Sequence, residues 1–454
     1  MEKQKDFNLA SVFYTIRKSV QTGDIEVFRS NFTVLHPYEQ ATFFVTQNEE
    51  LRRRIYSFLS PDEMASIFEN LEKEEQTDFI IEMHPSYAAA MLSHMFVDDA
   101  VDVLAELSTD QIASFLALMD KETAETIKAL LHYEEKTAGS IMTTEYVEIQ
   151  EHLTVKEALQ VLKKEAQQAE TIYYLFITDI DKKLTGVISL RELIIAPDEA
   201  YVKEYMVDRV VSVYVDEDQE EVAKKMSDYD FLALPVIDHQ KRLLGIITVD
   251  DIIDVLEEEA SDDYSKLAGV TDMDTTPASP WHAAKKRLPW LIVLLFMGMA
   301  TASLISVFED TLNKVSILAM FIPLIAGMAG NTGTQALAVS VRGIATGELD
   351  KQGHFSMLLK EASTGLLIGG VCGSFVTVIV FIWQQQFYLG LLIGFSLFCT
   401  LVISTIAGAF IPLVMEKLNV DPAVASGPFI TTINDLISIL IYFGLATLFM
   451  EYLI

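Results

Sequence analysis

The sequence has few cysteines and few basic residues, and each shortage excludes a class of function. Only two cysteines occur in 454 residues, Cys372 and Cys399, both in apolar segments. Neither a disulfide framework nor a cysteine-rich zinc site is therefore available. Lysine and arginine total 33 against 65 acidic residues, which argues against nucleic-acid binding because phosphate contacts require clustered basic side chains. The first residues contain no apolar signal core, so we expect the first half of the chain to stay in the cytoplasm.

Negative charge and hydrophobic character are both high, but they occupy different parts of the chain. The formal net charge is −32, although 51% of the residues are hydrophobic. Residues 1–280 carry nearly all the charge, and 288–454 are overwhelmingly apolar. The acidic half suits cation binding or simply solubility, which is the commoner reason for acidity. This segregation indicates a multidomain membrane protein.

Residues 1–136 predict an all-α domain. Apolar residues recur at helical spacing, and capping signals such as Ser60-Pro61-Asp62-Glu63 restart short helices. This pattern is typical of a stack of helical hairpins, or superhelix. Asp98 and Asp102 fall on one face of such a helix. That face is either exposed to solvent or binds a metal ion.

Residues 137–256 repeat one pattern twice. Each copy reads as helix, apolar strand, Asp-containing turn, apolar strand and helix. The stretch Phe176–Ser189 is matched by Pro235–Thr248, and Met142 is matched by Met206. The two copies, 137–200 and 201–256, resemble a tandem pair of cystathionine-β-synthase (CBS) domains. Such α/β pairs are regulatory sensors of adenine nucleotides or metal ions and not catalysts.

The resemblance implies one candidate ATP site. The nucleotide-type pattern Gly-x-x-Thr/Ser-x-x-Asp occurs in the second copy as Gly245, Thr248 and Asp251. In the first copy Glu192 stands where the pattern has the aspartate. The alternative interpretation of the pattern is structural, with a turn glycine and a threonine that caps a helix.

Residues 250–285 are predicted to form a long acidic connecting helix followed by a linker at 271–280. Asp251, Asp254, Glu258 and Asp262 are three or four residues apart, so they form one stripe on a helix. Ile252, Val255 or Leu256, and Ala260 form its apolar companion face. Like charges at this spacing destabilise a helix unless they are neutralised. Mg²⁺ would do so while keeping several waters; the alternative is a solvated linker helix.

The last part of the chain, 286–454, predicts five transmembrane helices. Their approximate ranges are 288–308, 315–341, 362–383, 389–415 and 425–450. Predicted internal loops hold Arg342, Lys351, Lys360 and Lys417, and external loops hold only Lys314. This distribution places the N-terminus inside and, with five spans, the C-terminus outside. An odd number of spans favours a pore at a two-fold axis between two copies.

Asp435 is the one ionisable residue of the last span. A carboxylate at this depth costs about 2.5–3.5 kcal/mol, so it requires water, a partner or a cation. The second span carries Asn331, Thr332 and Gln335 among several glycines. These residues provide either close helix packing or an irregular polar wall. Together with Asp435 they favour a cation pore.

In this order, the acidic helical domain, the CBS pair, the acidic connector and the five spans resemble the MgtE family of magnesium channels. The resemblance covers essentially the whole chain. It is carried most specifically by Gly330-Asn331-Thr332-Gly333-Thr334-Gln335, Asp421-Pro422-Ala423 and Asn434-Asp435. It implies a homodimer in the inner or plasma membrane that admits Mg²⁺ and is not an enzyme.

The resemblance also implies roles for individual residues. Asp435 would hold hydrated Mg²⁺ in a pore lined by Asn331, Asn434 and Thr431. The acidic connector corresponds to the plug helix of the family, which closes the pore when intracellular Mg²⁺ joins the cytosolic domains. The acidic residues implied as further Mg²⁺ ligands are Asp421, Asp98, Asp99, Asp102, Asp216, Asp218, Asp250, Asp251, Asp254, Glu257, Glu258 and Glu259.

Three alternatives remain open at this point. The chain could transport another divalent cation such as Co²⁺ or Mn²⁺, transport chloride or an organic osmolyte, or sense Mg²⁺ without transport. A lone acidic pore residue speaks against anions. Flux measurements would distinguish transport of another divalent cation from sensing without transport.

Overall fold

The computed structural model describes residues 9–270, 279–346, 353–418 and 420–453. They form two units, Met1–Leu256 and Glu257–Ile454. Most of the predicted linker at 271–280 and the loop residue Lys351 lie outside the described residues.

The first unit begins with short helices that restart at N-terminal caps. Capping boxes pair Ser60 with Glu63 and Ser108 with Gln111, as expected for short segments that must satisfy free backbone N–H groups. Buried aromatic side chains such as Phe28, Phe43 and Phe68 fill the core between the helices. The helices are α1 (Leu9–Thr22), α2 (Ile25–Phe32), α3 (Pro37–Val45), α4 (Glu49–Phe58), α5 (Pro61–Phe68), α6 (Lys73–Glu82), α7 (Pro85–Leu92), α8 (Val97–Ala105), α9 (Thr109–Leu116) and α10 (Lys121–Leu130).

The duplicated module folds into two sheets of the same topology. The first contains β1 (Glu148–Gln150), β2 (Tyr174–Thr178) and β3 (Leu184–Ser189), and the second contains β4 (Val213–Tyr214), β5 (Ala233–Ile237) and β6 (Leu243–Thr248). In each sheet the first two strands are parallel, the last two are antiparallel, and the antiparallel register shifts near its end. The accompanying helices are α11 (Val155–Glu165), α12 (Leu190–Ile195), α13 (Gln219–Tyr229) and a 3-10 turn at Val202–Glu204.

The matched methionines pack each copy against the other. A methyl group at Gly245 would lie 2.5 Å from the backbone oxygen of Thr143 and 2.9 Å from the sulfur of Met142, and one at Gly186 would overlap the sulfur of Met206. Each glycine thus lies directly against the methionine of the other copy, which explains why the glycine and the methionine are repeated together.

The acidic connector forms helix α14 (Val249–Ala268), which ends before Gly269 at φ +71°. A positive φ at the end of a helix favours glycine. Ile252 and Val255 are buried and form the apolar face of its first turns, whereas Leu256 is 46% exposed. Ala260 is exposed and does not continue this face as predicted.

Five helices of the second unit are long and apolar enough to cross a membrane, which confirms the predicted number. The elements are α15 (Pro280–Val307), α16 (Glu309–Lys314), a 3-10 helix (Ser316–Phe321), α17 (Ile322–Ala345), α18 (His354–Gln384), α19 (Phe387–Lys417), a 3-10 helix (Pro422–Val424), α20 (Gly427–Leu448) and a final 3-10 helix (Met450–Tyr452). The 3-10 helix precedes α17 because Pro323, which lacks a backbone N–H, is favoured only in the first helical turn. Helix α18 begins at His354, before the apolar stretch 362–383, and its first turns include the charged residues Lys360 and Glu361.

Candidate metal centres

Three carboxylates of the first unit converge on one point. One oxygen from each of Asp98, Glu170 and Asp251 lies within 4.8 Å of the others. Asp98 is only 7% exposed. Among the described residues, Asp98 Oδ1 and Glu170 Oε2 are buried and accept no hydrogen bond. Oxygen ligands at this spacing are those that a divalent cation such as Mg²⁺ would join.

Two helix N-termini bring this cluster together. Asp98 lies in the first turn of α8, and Asp251 lies in the first turn of α14. Carboxylates are favoured there because the free N–H groups and the helix dipole attract negative charge. Glu170 comes from the connection between α11 and β2, where its backbone N–H donates to Glu145 O at 2.9 Å.

The cluster is electrostatically unfavourable while all three groups are ionised. Burial, followed by repulsion from Asp251, raises the pKa of Asp98 well above its usual range. Burial raises the pKa of Asp251 to about 7, against the hydrogen bond that it accepts from Thr248. Burial also raises the pKa of Glu170. A proton or a cation must therefore neutralise part of this charge.

Further acids surround the N-terminus of α8. Burial raises the pKa of Asp99 to about 8 and that of Glu145 to about 7. Phe96 N donates to Glu69 Oε1 at 3.2 Å, and burial raises the pKa of Glu69 as well. The region around the cluster is thus strongly acidic.

Other predicted ligands make different contacts. Asp102 pairs with Lys73, with Nζ 3.0 Å from Oδ2. Asp216 Oδ2 lies 3.4 Å from His239 Nε2, and Asp218 caps α13 by accepting from Glu220 N at 2.9 Å. None of these carboxylates belongs to the three-residue cluster in the described part of the chain. The metal-binding prediction for them stays a prediction.

The remaining acidic residues of the connector follow the cluster along α14. Asp250 is exposed and adds repulsion that raises the pKa of Asp251. Asp254, Glu257, Glu258 and Glu259 are also on α14. Asp421 pairs with Lys266, with Nζ 2.6 Å from Oδ2, and its metal-binding prediction stays a prediction.

The nucleotide-type pattern has a structural explanation in this chain. A methyl group at Gly245 would lie 2.5 Å from the backbone oxygen of Thr143. Thr248 N donates to Asp251 Oδ2 at 3.3 Å, which caps the start of α14, and Thr248 Oγ1 donates to the same oxygen at 2.6 Å. The same aspartate also belongs to the carboxylate cluster. The nucleotide-binding prediction for these residues stays a prediction.

In the second unit, Asp435 lies half-buried on α20. Thr431, one turn earlier, contacts α17, since a methyl group at Gly330 would lie 2.7 Å from its Cγ2. Asn434 is fully buried against α17, and a methyl group at Gly333 would overlap its Nδ2. Asn434 therefore packs inside the helix bundle, whereas Thr431 and Asp435 are only partly covered.

Asn331 and Gln335 are exposed on α17, although this helix is apolar and long enough to span a membrane. Amide side chains are unfavourable against hydrocarbon. Asn331 and Gln335 are four residues apart and therefore share one face of α17. The surface suits contact with water or another protein.

Sequence reasoning missed Glu170, Glu145 and Glu69. Each lies in or beside a connection between elements. The sequence there has no periodicity that would distinguish the glutamate from an ordinary exposed acid. Only the packing of α8 against the CBS pair gathers them. No local signal could have identified them.

The fold and these sites define a class, the membrane transporters of divalent cations with a regulatory CBS pair. The family model described as MgtE, divalent cation transporter, matches 322–445, and the MgtE intracellular N domain matches 35–136. The CBS domain model matches 138–199 and 202–258. The chain belongs to the MgtE family, as the sequence predicted, and the family consists of transporters and not enzymes.

Curated relatives and solved structures agree with this assignment. The chain is 52% identical over 334 residues to the magnesium transporter MgtE of Enterococcus faecalis, covering 73% of each chain. It is 46% identical to the Bacillus subtilis magnesium transporter MgtE, covering 74% of each. It also resembles the soluble part of a magnesium transporter, with 46% identity, a TM-score of 0.54, and coverage of 56% of this chain and 100% of that one. The cytosolic domain of the Mg²⁺ channel MgtE in complex with ATP is 37% identical, with a TM-score of 0.51 and coverage of 54% and 99%.

Proposed function

We propose that this chain forms a homodimeric channel that admits Mg²⁺ across the plasma membrane and closes when cytosolic Mg²⁺ binds its acidic regions. The observation that carries the proposal is the pairing of two carboxylate sites in one chain. One is the cluster of Asp98, Glu170 and Asp251, of which Asp98 is buried, and the other is Asp435 on a helix long and apolar enough to span a membrane. The first suits a sensor and the second suits a pore.

The exposed polar surface of α17 supports the homodimer. Asn331 and Gln335 would face lipid in a single subunit, which is unfavourable for side chains that need hydrogen-bond partners. A second copy that covers the same surface across a two-fold axis would enclose these amides. Two Asp435 carboxylates would then face a shared aqueous passage.

Asp435 offers one carboxylate per subunit, which suits a hydrated ion. Mg²⁺ loses water reluctantly and binds through one or two carboxylates while keeping most of its waters. Two opposed aspartates would attract a divalent cation without enclosing it. Asn331 and Thr431 would donate or accept hydrogen bonds to the hydration shell. Selectivity would then depend on the size of the hydrated ion.

The cluster of Asp98, Glu170 and Asp251 would act as the regulatory site. A divalent cation there would neutralise Asp98, Glu170 and Asp251 and so hold α8 and α14 together. The ion can shift the channel toward closure only if it binds the closed state more tightly than the open one. Without it, repulsion among the acids would separate these helices and release the acidic plug.

ATP is a second ligand that we propose for the CBS pair. A 37% identical cytosolic domain has been solved with ATP, and the pattern of Gly245, Thr248 and Asp251 fits a nucleotide site. Asp251 would then serve two ligands. We therefore expect the Asp251→Asn substitution to alter ATP and Mg²⁺ binding together.

The orientation follows from the positive residues. Arg342, Lys360 and Lys417 would face the cytoplasm together with the N-terminal unit and the CBS pair. With five spans, the C-terminus would then lie outside. Protease digestion of intact cells, or a reporter fused to each end of the chain, would test this arrangement.

The experiment that tests transport is Mg²⁺ uptake by proteoliposomes containing the full chain. We expect the Asp435→Asn substitution to abolish uptake while the purified protein keeps its helical content. The matched control is Asp310→Asn, which makes the same chemical change at an exposed acid on α16. Wild-type uptake by the Asp435→Asn variant would contradict the pore assignment.

The same vesicles separate the alternatives. Uptake of Co²⁺ or Mn²⁺ in place of Mg²⁺ would assign a different divalent cation. Binding of Mg²⁺ without any ion flux would indicate a sensor that does not transport.

A further inference from the structure

An ion pair joins the end of the acidic helix to the segment that begins the pore helix. Lys266 Nζ lies 2.6 Å from Asp421 Oδ2, and the side chains are 33% and 38% exposed. The other oxygen of Asp421 accepts from Ala423 N at 2.8 Å and so caps the 3-10 helix before α20. One carboxylate thus fixes both the connector and the start of this segment.

Apolar and aromatic contacts reinforce the same junction. Leu267 packs against a buried cluster that includes Ala425 and Ile430. A methyl group at Gly269 would lie 2.5 Å from Trp290 Cδ1. Trp290 Nε1 in turn donates to Ser426 Oγ at 2.8 Å. The end of α14, the first membrane helix and the start of α20 therefore meet at one point.

The charges around Lys266 make its role specific. Asp262 lies one turn earlier, with Oδ2 4.0 Å from Lys266 Nζ. Burial and repulsion from Asp421 raise the pKa of Asp263. The end of α14 and the Asp421 segment are both acidic, so they would repel each other without a cation between them. An ammonium group carried by the chain provides that cation at every Mg²⁺ concentration.

We propose that Lys266 is a tethered cation that fastens the end of the acidic helix to the Asp421–Ser426 segment and so couples movement of that helix to the Asp435 helix. This inference rests on the proposed function, since it concerns how the gate is connected to the pore. It assigns Asp421 to coupling and not to ion conduction. Lys266 is accordingly a positioning residue.

The test is Mg²⁺ current through the full chain in excised patches while Mg²⁺ on the cytosolic side is stepped. Lys266→Met removes the charge and keeps the chain length, and Asp421→Asn keeps an oxygen for the cap. We expect each substitution to raise the half-inhibitory Mg²⁺ concentration about two- to fivefold, the range for a partly exposed ion pair. The double variant should shift no further than either single variant, because both changes break one contact.

Lys285→Met is the matched control, since it removes the same charge from an exposed lysine at the membrane surface. Single-channel conductance should be unchanged in every variant. Equal shifts for Lys266→Met and Lys285→Met, additive shifts in the double variant, or a lower conductance for Asp421→Asn would overturn the inference. Absence of any wild-type Mg²⁺ current would instead overturn the proposed function on which the inference rests.

Discussion

Replacing Asp251 by Asn should make the cytosolic cluster more stable without Mg²⁺ and less responsive to it. The pKa of Asp251 is raised from 3.8 to about 7. Keeping this group ionised at pH 7 or above therefore costs the folded state on the order of 4 kcal/mol, at 1.36 kcal/mol for each tenfold change in ionisation. Asparagine removes this cost. It can still accept from Thr248, so the weakened cap offsets only about 0.5–1 kcal/mol.

The net gain of about 3 kcal/mol corresponds to about a hundredfold lower population of the state in which the helices that form the cluster are open. Hydrogen exchange of the full chain, read by mass spectrometry on peptides from α8 and the first turns of α14, measures this opening locally. In EDTA we expect slower exchange in the Asp251→Asn variant than in the wild type. Mg²⁺ at a hundred times its dissociation constant should slow exchange in the wild type by about a hundredfold, and far less in the variant.

Asp228→Asn is the control for this experiment, because Asp228 is an exposed acid on α13. It should exchange like the wild type with and without Mg²⁺. Faster exchange of Asp251→Asn in EDTA would show that repulsion is not the dominant force in the cluster. Equal protection of wild type and variant by Mg²⁺ would show that Asp251 is not a ligand.

Two further predictions concern protons and packing. Because the pKa values of Asp251 and Asp99 are raised on folding, to about 7 and about 8, the Mg²⁺-free folded state should lose stability as pH rises from about 4 to about 8. Protons should compete with Mg²⁺ over the upper part of this range, so titration calorimetry should show weaker Mg²⁺ binding at pH 6 than at pH 8, whereas equal affinity would contradict protonation of the cluster. Gly333→Ala should reduce the yield of monodisperse protein by size-exclusion chromatography, because the added methyl group would overlap Asn434. Gly327→Ala, on the same helix with open space around it, should not, and equal yields would show that α17 and α20 can separate at no cost.

Most of the fold could be predicted because its signals are local and repeated. Capping boxes at Ser60 and Ser108 mark helix starts, and the repeated Gly and Met of the CBS pair mark its two copies. Apolar stretches identify the membrane helices by length alone. Details that depend on one turn, such as the 3-10 helix before Pro323, need the geometry of the neighbouring segments.

The sites were less predictable because their members are distant in sequence. Asp98 and Asp251 could be proposed as ligands, but Glu170 completes their cluster only after the first CBS copy packs against α8. Asp102 shares a predicted helix face with Asp98, yet Lys73 from α6 neutralises it. A helical pattern indicates which residues share a face and not which partner meets that face.

The number of carboxylates at the two sites fits two different tasks. At the cluster of Asp98, Glu170 and Asp251, a cation exchanges repulsion among three acids for direct attraction and is held until the helices separate. Asp435 is half-buried and is the one acid of its span. It can attract a hydrated ion without replacing the ion's water, which leaves the ion free to move on. Moving a second acid into the neighbourhood of Asp435 within one subunit would therefore strengthen binding and slow conduction, whereas removing one acid from the cluster of Asp98, Glu170 and Asp251 would weaken sensing and leave the single-channel conductance of the open pore unchanged.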